Sequence, residues 1–204
     1  MNKLLIASLS VLAGAAQAHL TVFEGVFLPE TAVVSGQTRT GTGTGTLRLE
    51  YDEDGHTLLV QASWSGLTGN ANNAHIHCCT AAPATGTAGI ALAQQPANLL
   101  PGFPLGGTFG TYEAVIDLTV ASNYGTAFRL ASGPGGANGT PADAEARLIS
   151  NLASQKAYLN IHTSYIGGGE LRAFVTAVPE PQTYALMLAG LGVLGWAARR
   201  RQVG

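Results

Sequence analysis

Gly45-Thr46-Leu47-Arg48-Leu49-Glu50-Tyr51-Asp52-Glu53-Asp54-Gly55-His56-Thr57-Leu58-Leu59-Val60-Gln61-Ala62-Ser63-Trp64 is the stretch that decides the fold class. Apolar Leu47, Leu49 and Tyr51 alternate with polar Thr46, Arg48 and Glu50, the two-residue period of a half-buried strand. Thr57 to Trp64 is a second β-rich run, and Asp52-Glu53-Asp54-Gly55 between the two is rich in turn formers. The stretch therefore predicts an antiparallel hairpin.

Outward from this hairpin, further strands are expected at Leu20 to Phe27, Asn73 to Cys78 and Thr108 to Val120. A final hairpin joins Lys156–Thr163 to Glu170–Ala177 across Ser164 to Gly169. Pro141 to Ala153 opens on proline, has an acidic first turn and spaces Ala144, Leu148 and Leu152 helically, so it predicts a helix. Pro96 to Gly107 and Ser132 to Pro141 read as loops. The Thr-Gly alternation from Thr40 to Thr46 is too short to indicate a solenoid. Many short strands with long connections predict an all-β fold, an antiparallel Greek-key-like β-sandwich with one short helix inserted.

The ends are of a different kind. Lys3, the apolar run Leu4 to Ala13 and the small residues Ala16-Gln17-Ala18 predict a secretory signal peptide over residues 1–18. Cleavage there would expose His19, whose amine and ring could together bind copper. At the other end Pro179-Glu180-Pro181 interrupts any strand, because proline brings no ladder donor. Residues 183–198 then run without a charge and Arg199-Arg200-Arg201 follow. Sixteen helical residues span roughly 24 Å against a ~30 Å hydrocarbon core. Trp196 and the arginines can complete the span at the interface, and arginines after the helix favour a cytoplasmic C-terminus. A C-terminal transmembrane helix is expected. The order Pro-Glu-Pro, apolar helix, arginine cluster resembles the PEP-CTERM sorting tail of Gram-negative bacteria. The resemblance implies an exosortase-type protease as partner, an inner-membrane-anchored precursor, and delivery to the cell surface or extracellular matrix. The chain thus divides into a signal peptide (1–18), a body (19–177) and a sorting tail (178–204).

Without Lys3 and the terminal arginines, six basic side chains stand against twelve acidic ones, which argues against binding a phosphate backbone, and no nucleic-acid partner is expected. No phosphate-cradling loop, dinucleotide fingerprint or nucleophile elbow appears, and no paired-carboxylate or Ser/His/Asp arrangement is legible. The body reads as non-catalytic.

Two motifs carry chemistry: Ala74-His75-Ile76-His77-Cys78-Cys79 and Tyr158-Leu159-Asn160-Ile161-His162-Thr163. On a strand His75 and His77 point to one face. If the final hairpin lies beside that strand, His162 joins them, and three imidazoles suit copper or zinc. Cys78 and Cys79 are the only cysteines. In an oxidising compartment they can form a vicinal disulfide, remain thiols that assist a metal, or bridge two molecules. His56 in the acidic turn reads as solvated, and Glu170 and Arg172 read as surface salt-bridge partners.

Gly66-Leu67, Ala74-His75-Ile76-His77, Tyr158-Leu159-Asn160-Ile161-His162-Thr163 and Gly169-Glu170-Leu171-Arg172, in this order, resemble the CHRD domain, the module named after chordin. Phe23-Glu24-Gly25 and the Gly-Thr-rich run from Gly41 to Leu49 fit that family's opening, so the resemblance spans Leu20 to Ala177. A looser similarity, His-x-His on a strand followed by a single His and an Arg, is to copper-zinc superoxide dismutases. It implies a superoxide-dismutase-like sandwich in which His75, His77 and His162 hold copper and Arg172 attracts a small anion. The fourth, metal-bridging histidine, the zinc ligands and the electrostatic loop of that enzyme are not evident, so dismutase activity is not implied. Two functions compete. One is a non-catalytic surface domain that binds a surface protein or an extracellular polysaccharide. The other is a copper-dependent redox or metal-handling protein.

Overall fold

The hairpin around Asp52 to Gly55 forms, and its alternation sets the inside and outside of the molecule. The computed structural model describes residues 19–132 and 136–179, with isolated tail positions 190, 191, 194 and 199. Its strands are β1 (Leu20–Pro29), β2 (Thr31–Val34), β3 (Gln37–Thr40), β4 (Thr44–Asp52), β5 (Thr57–Ser65), β6 (Ala71–Cys78), β7 (Gly89–Leu92) and β8 (Gly110–Asp117). Helices α1 (Thr126–Leu130) and α2 (Pro141–Ala153) follow, and β9 (Ala157–Thr163), β10 (Leu171–Phe174) and β11 (Thr176–Val178) close the body. Leu49 pairs with Val60 at the centre of the β4–β5 hairpin. Leu47, Leu49, Leu58, Val60 and Trp64 are buried, while Arg48 and Gln61 face outward. Each large apolar side chain buried this way contributes roughly 1.5–3 kcal/mol.

All pairings are antiparallel, as expected of an all-β chain. Instead of the two packed sheets of a sandwich, however, nine strands follow one curled path, β7-β6-β9-β10-β1-β4-β5-β8 with β11 also on β1, and β2 pairs only with β3. The continuity comes from β1. One of its edges pairs with β4 from Leu20 to Phe27; the other pairs with β11 at Val22–Glu24 and with β10 at Leu28 and Pro29. Gly25 lies where a Cβ would run into the Phe174 carbonyl, so this close passage needs glycine. Phe23, Phe27, Leu58, Ile76, Ile161 and Leu171 meet in one core inside the curl.

Helix α2 has the predicted bounds. Pro141 opens it, Thr140 caps it by accepting from the Asp143 N–H (3.0 Å), and Ala144, Leu148 and Leu152 are buried. The single expected helix is accompanied by short α1 and a 3-10 turn at Ala121–Asn123. The expected strand Thr108–Val120 is trimmed to β8, because the Asp117 carboxylate accepts from the Thr119 N–H (2.8 Å) and turns the chain. The hairpin of β2 and β3 was not legible as strand; Ser35 and Gly36, both at positive φ, make its two-residue turn. The signal peptide lies outside the described residues, as does most of the apolar run 183–198. No helix among the described residues is long and apolar enough to cross a membrane.

Candidate metal centre

Strands β6 and β9 are neighbours, and their register does the assembling. Asn73 lies opposite His162, His75 opposite Asn160, and His77 opposite Tyr158. Paired residues share a face, so these six side chains occupy the outer face of the sheet, with Ala74, Ile76 and Ile161 turned into the core. The face is not left to solvent. Connections from elsewhere in the chain roof it, and His75 is only 4% exposed.

Each imidazole is held through the same nitrogen. His75 Nδ1–H donates to the Asn98 carbonyl (2.9 Å), His77 Nδ1–H to the Ala88 carbonyl (2.8 Å) and His162 Nδ1–H to the Gly167 carbonyl (2.8 Å). A carbonyl only accepts, so Nδ1 carries the proton and Nε2 keeps its lone pair. Ring centroids are 4.6 Å apart for His75 and His77, 4.4 Å for His75 and His162, and 5.8 Å for His77 and His162. One nitrogen from each ring lies within 4.8 Å of the others. Bonds of ~2.0 Å to one ion place ligand nitrogens about 3.3–3.5 Å apart, a modest side-chain closure from this arrangement. The Nε2 atoms of His77 and His162 are buried without a hydrogen-bond partner.

The electrostatics match this. Burial, with the like charges of His162 and His77, pushes His75 down to about 3. Burial is also the main cause that pushes His77 down to about 4 and lowers His162. All three rings are therefore neutral near pH 7, the form in which imidazole binds metal. The histidine face has a surplus of unpaired polar atoms. Asn73 Oδ1, His77 Nε2, Asn160 Oδ1, His162 Nε2 and Arg172 Nε are all buried and lack partners. Buried polar groups normally find partners. Sequence reasoning missed Asn73, Tyr158 and Asn160 as members of the site, although alternation puts Asn73 on the side of His75 and His77 along β6, and Tyr158 and Asn160 on the side of His162 along β9. The carbonyls of Ala88, Asn98 and Gly167 carry no such signal, because any residue offers one.

Of the other expected residues, Arg172 lies opposite Asn160 on the same face and its charge helps to lower the His77 pKa, but it does not enter the triad. Its guanidinium lies 4.3 Å from the Tyr158 ring centre, donates to the Gly86 carbonyl (2.8 Å) and pairs with Glu30 (3.2 Å). Tyr158 stacks on His77 at 4.9 Å, on the strand between β6 and β10. Cys78 and Cys79 are joined to each other by a disulfide. Cys78 belongs to the core and points away from the histidine face. His19 is exposed beside Glu53, at 3.8 Å.

Two residues expected at the surface are structural. Glu170 is fully buried and accepts from the N–H groups of Thr42 (3.2 Å), Thr68 and Gly69 (3.1 Å) and from the Thr163 hydroxyl (2.6 Å). Burial raises its pKa, but these hydrogen bonds outweigh that and hold it below the usual carboxylate range. His56 is half exposed, yet its Nδ1 lies 3.0 Å from the buried Glu145 carboxylate, which also accepts from Tyr51 (2.7 Å).

Of the sorting residues, Pro179 is described and exposed after β11, and Arg199 is an exposed helical position. Glu180, Pro181, Arg200 and Arg201 lie outside the described residues. Comparison with protein-family models finds the CHRD domain over residues 26–175 and the PEP-CTERM protein-sorting motif over residues 177–201. Comparison with curated proteins and with solved structures gives no match. A secreted protein with a membrane-anchored precursor, handled by an exosortase-type system, follows from the sorting motif. The chain belongs to the CHRD domain family and carries a PEP-CTERM sorting tail.

Proposed function

We propose that this surface-sorted CHRD domain binds one transition-metal ion, copper or zinc, through His75, His77 and His162. One observation carries the proposal: three neutral imidazoles share a roofed sheet face, each fixed by a backbone carbonyl at Nδ1. Metal-ligating histidines usually donate their second ring N–H in this way, which orients the ring and fixes the tautomer. Imidazole suits both ions, and in an exported protein copper would give a redox or metal-handling role. Elemental analysis of the purified, tag-free chain tests the reading. One equivalent of copper or zinc is expected; no stoichiometric uptake of either rules it out.

A second reading, a non-catalytic domain that binds extracellular polysaccharide or a surface protein of the matrix, is favoured by a separate feature. An open groove of about 880 Å³ runs across the outer face of β1, β4, β5 and β8, lined by Glu24, Arg48, Gln61, Ser63, Thr111 and Glu113. Arg48 is paired with Glu24 (2.8 Å) and Gln61 with Glu113 (2.8 Å), donors and acceptors that could be exchanged for hydroxyl groups, beside apolar Val26 and Phe174. Co-sedimentation with extracellular polysaccharide, compared with an Arg48→Ala, Gln61→Ala variant, tests it.

A further inference from the structure

We infer that the ion held by the triad keeps a fourth, exchangeable coordination position filled by solvent, and that Asn73 and Asn160 accept the hydrogens of that bound water. The inference rests on the metal reading above. Three ligands come from this chain, and among the described residues no carboxylate or thiolate joins them. Cys78 is turned to the core, both cysteines are committed to each other, and Arg172 is engaged beyond Tyr158. Sites closed by four protein ligands are structural, whereas three ligands plus water make an open site.

The two asparagines supply the independent observation. Asn160 is 1% exposed, and its Nδ2 donates to the Gly168 carbonyl (3.2 Å), while its Oδ1 accepts from no protein donor. A Cβ on Gly169 would collide with this amide, so the glycine makes room for it. The Oδ1 atoms of Asn73 and Asn160 are both buried without a donor. Each asparagine lies directly across from a triad histidine, where cross-strand Cβ atoms are about 4.5–5.5 Å apart. Two acceptors that lack donors match the two O–H bonds of one water, polarised by an ion whose ligands are all neutral. Arg172 Nε, a buried unpaired donor across from Asn160 on β10, is the competing partner for the Asn160 oxygen alone. Direct ligation by an amide oxygen is the poorer match, because such hard ligands suit calcium or magnesium rather than copper or zinc. The position would take water or a small monodentate anion.

The full tag-free chain loaded with Co(II), a coloured stand-in for zinc, tests the inference by titration with azide. One equivalent of Co(II) with a four-coordinate visible spectrum that shifts on azide addition is expected. Asn160→Ala and Asn73→Ala should keep the Co(II) equivalent and reach half-saturation at several-fold lower azide, because the competing water has lost an acceptor. Bound Co(II) with a spectrum indifferent to azide overturns the open position and leaves the metal reading standing. A folded asparagine variant that no longer takes up Co(II) overturns the inference in favour of direct ligation. No uptake by the natural chain removes the metal site and the inference with it. If either alanine variant fails to fold, Asn160→Ser or Asn73→Ser is read in its place, and a folded variant whose half-saturating azide matches that of the natural chain overturns the role of that asparagine.

Discussion

His162 is the residue on which the site depends, because it alone brings β9 into a cluster otherwise confined to β6. Loss of an orienting partner of a ligand typically costs 10–100-fold in metal affinity, and loss of the ligand itself should cost at least that. His162→Ala is therefore expected to weaken copper or zinc binding by about 100-fold or more while leaving the far-UV circular dichroism unchanged; calorimetric titration checks it. Glu170 makes a different prediction. Its carboxylate ties together Thr42, Thr68, Gly69 and Thr163, and hydrogen bonds to charged groups contribute ~1.5–3 kcal/mol each. Glu170→Gln should lower stability by about 2–4 kcal/mol, since whichever way the amide is turned its N–H₂ meets at least one backbone N–H, of Thr42 and Thr68 or of Gly69, which can only donate. The sign of the pH effect follows from the depressed pKa. The stabilisation is full above the unfolded carboxylate pKa and is lost as pH falls through the folded value. Urea unfolding from neutral to acid pH should show a steeper decline for the natural chain than for Glu170→Gln.

At the scale of elements, α2 and the β4–β5 turn are linked through Glu145. Its buried carboxylate accepts from Tyr51 and faces His56, whose pKa it raises mainly by hydrogen bonding. A raised histidine pKa stabilises the fold at pH below the unfolded value, and the effect disappears as pH rises through the folded value. In Glu145→Gln the His56 titration followed by NMR should move back toward the ordinary imidazole value; no movement would remove the link. Parity along β6 gives the other prediction. His75 and His77 are separated by two residues and Cys78 falls on the opposite face. A folded chain with Cys78 and Cys79 both changed to Ser should therefore bind metal as the natural chain does, and loss of binding would place sulfur in the site.

For the whole molecule, a ligand that binds only the folded chain stabilises it by mass action, ~2.7 kcal/mol when free metal exceeds Kd 100-fold. For a body of this size that is roughly a 5–10 °C rise in midpoint temperature. Copper or zinc should produce this shift in the natural chain and not in His75→Ala, as differential scanning calorimetry would show. The all-β character was legible from local sequence because strand alternation is a local property: Leu47 to Tyr51 and Leu58 to Trp64 state which side is buried. Helix α2 was legible because its proline, cap and spacing lie within one element. The family motifs and the sorting tail were legible because each is a short ordered string. The curl of one continuous sheet was not, because it depends on β1 exchanging partners along one edge. Nor was the burial of Glu170, whose partners come from positions about a hundred residues away. The sequence by itself determined that His75 and His77 share a face. Only the tertiary structure decided that β9 lies against β6, that carbonyls from three different connections fix the rings, and that the Arg172 guanidinium is engaged over Tyr158 rather than in the triad. Such pairings depend on closing long loops around a common core, and no local pattern records them.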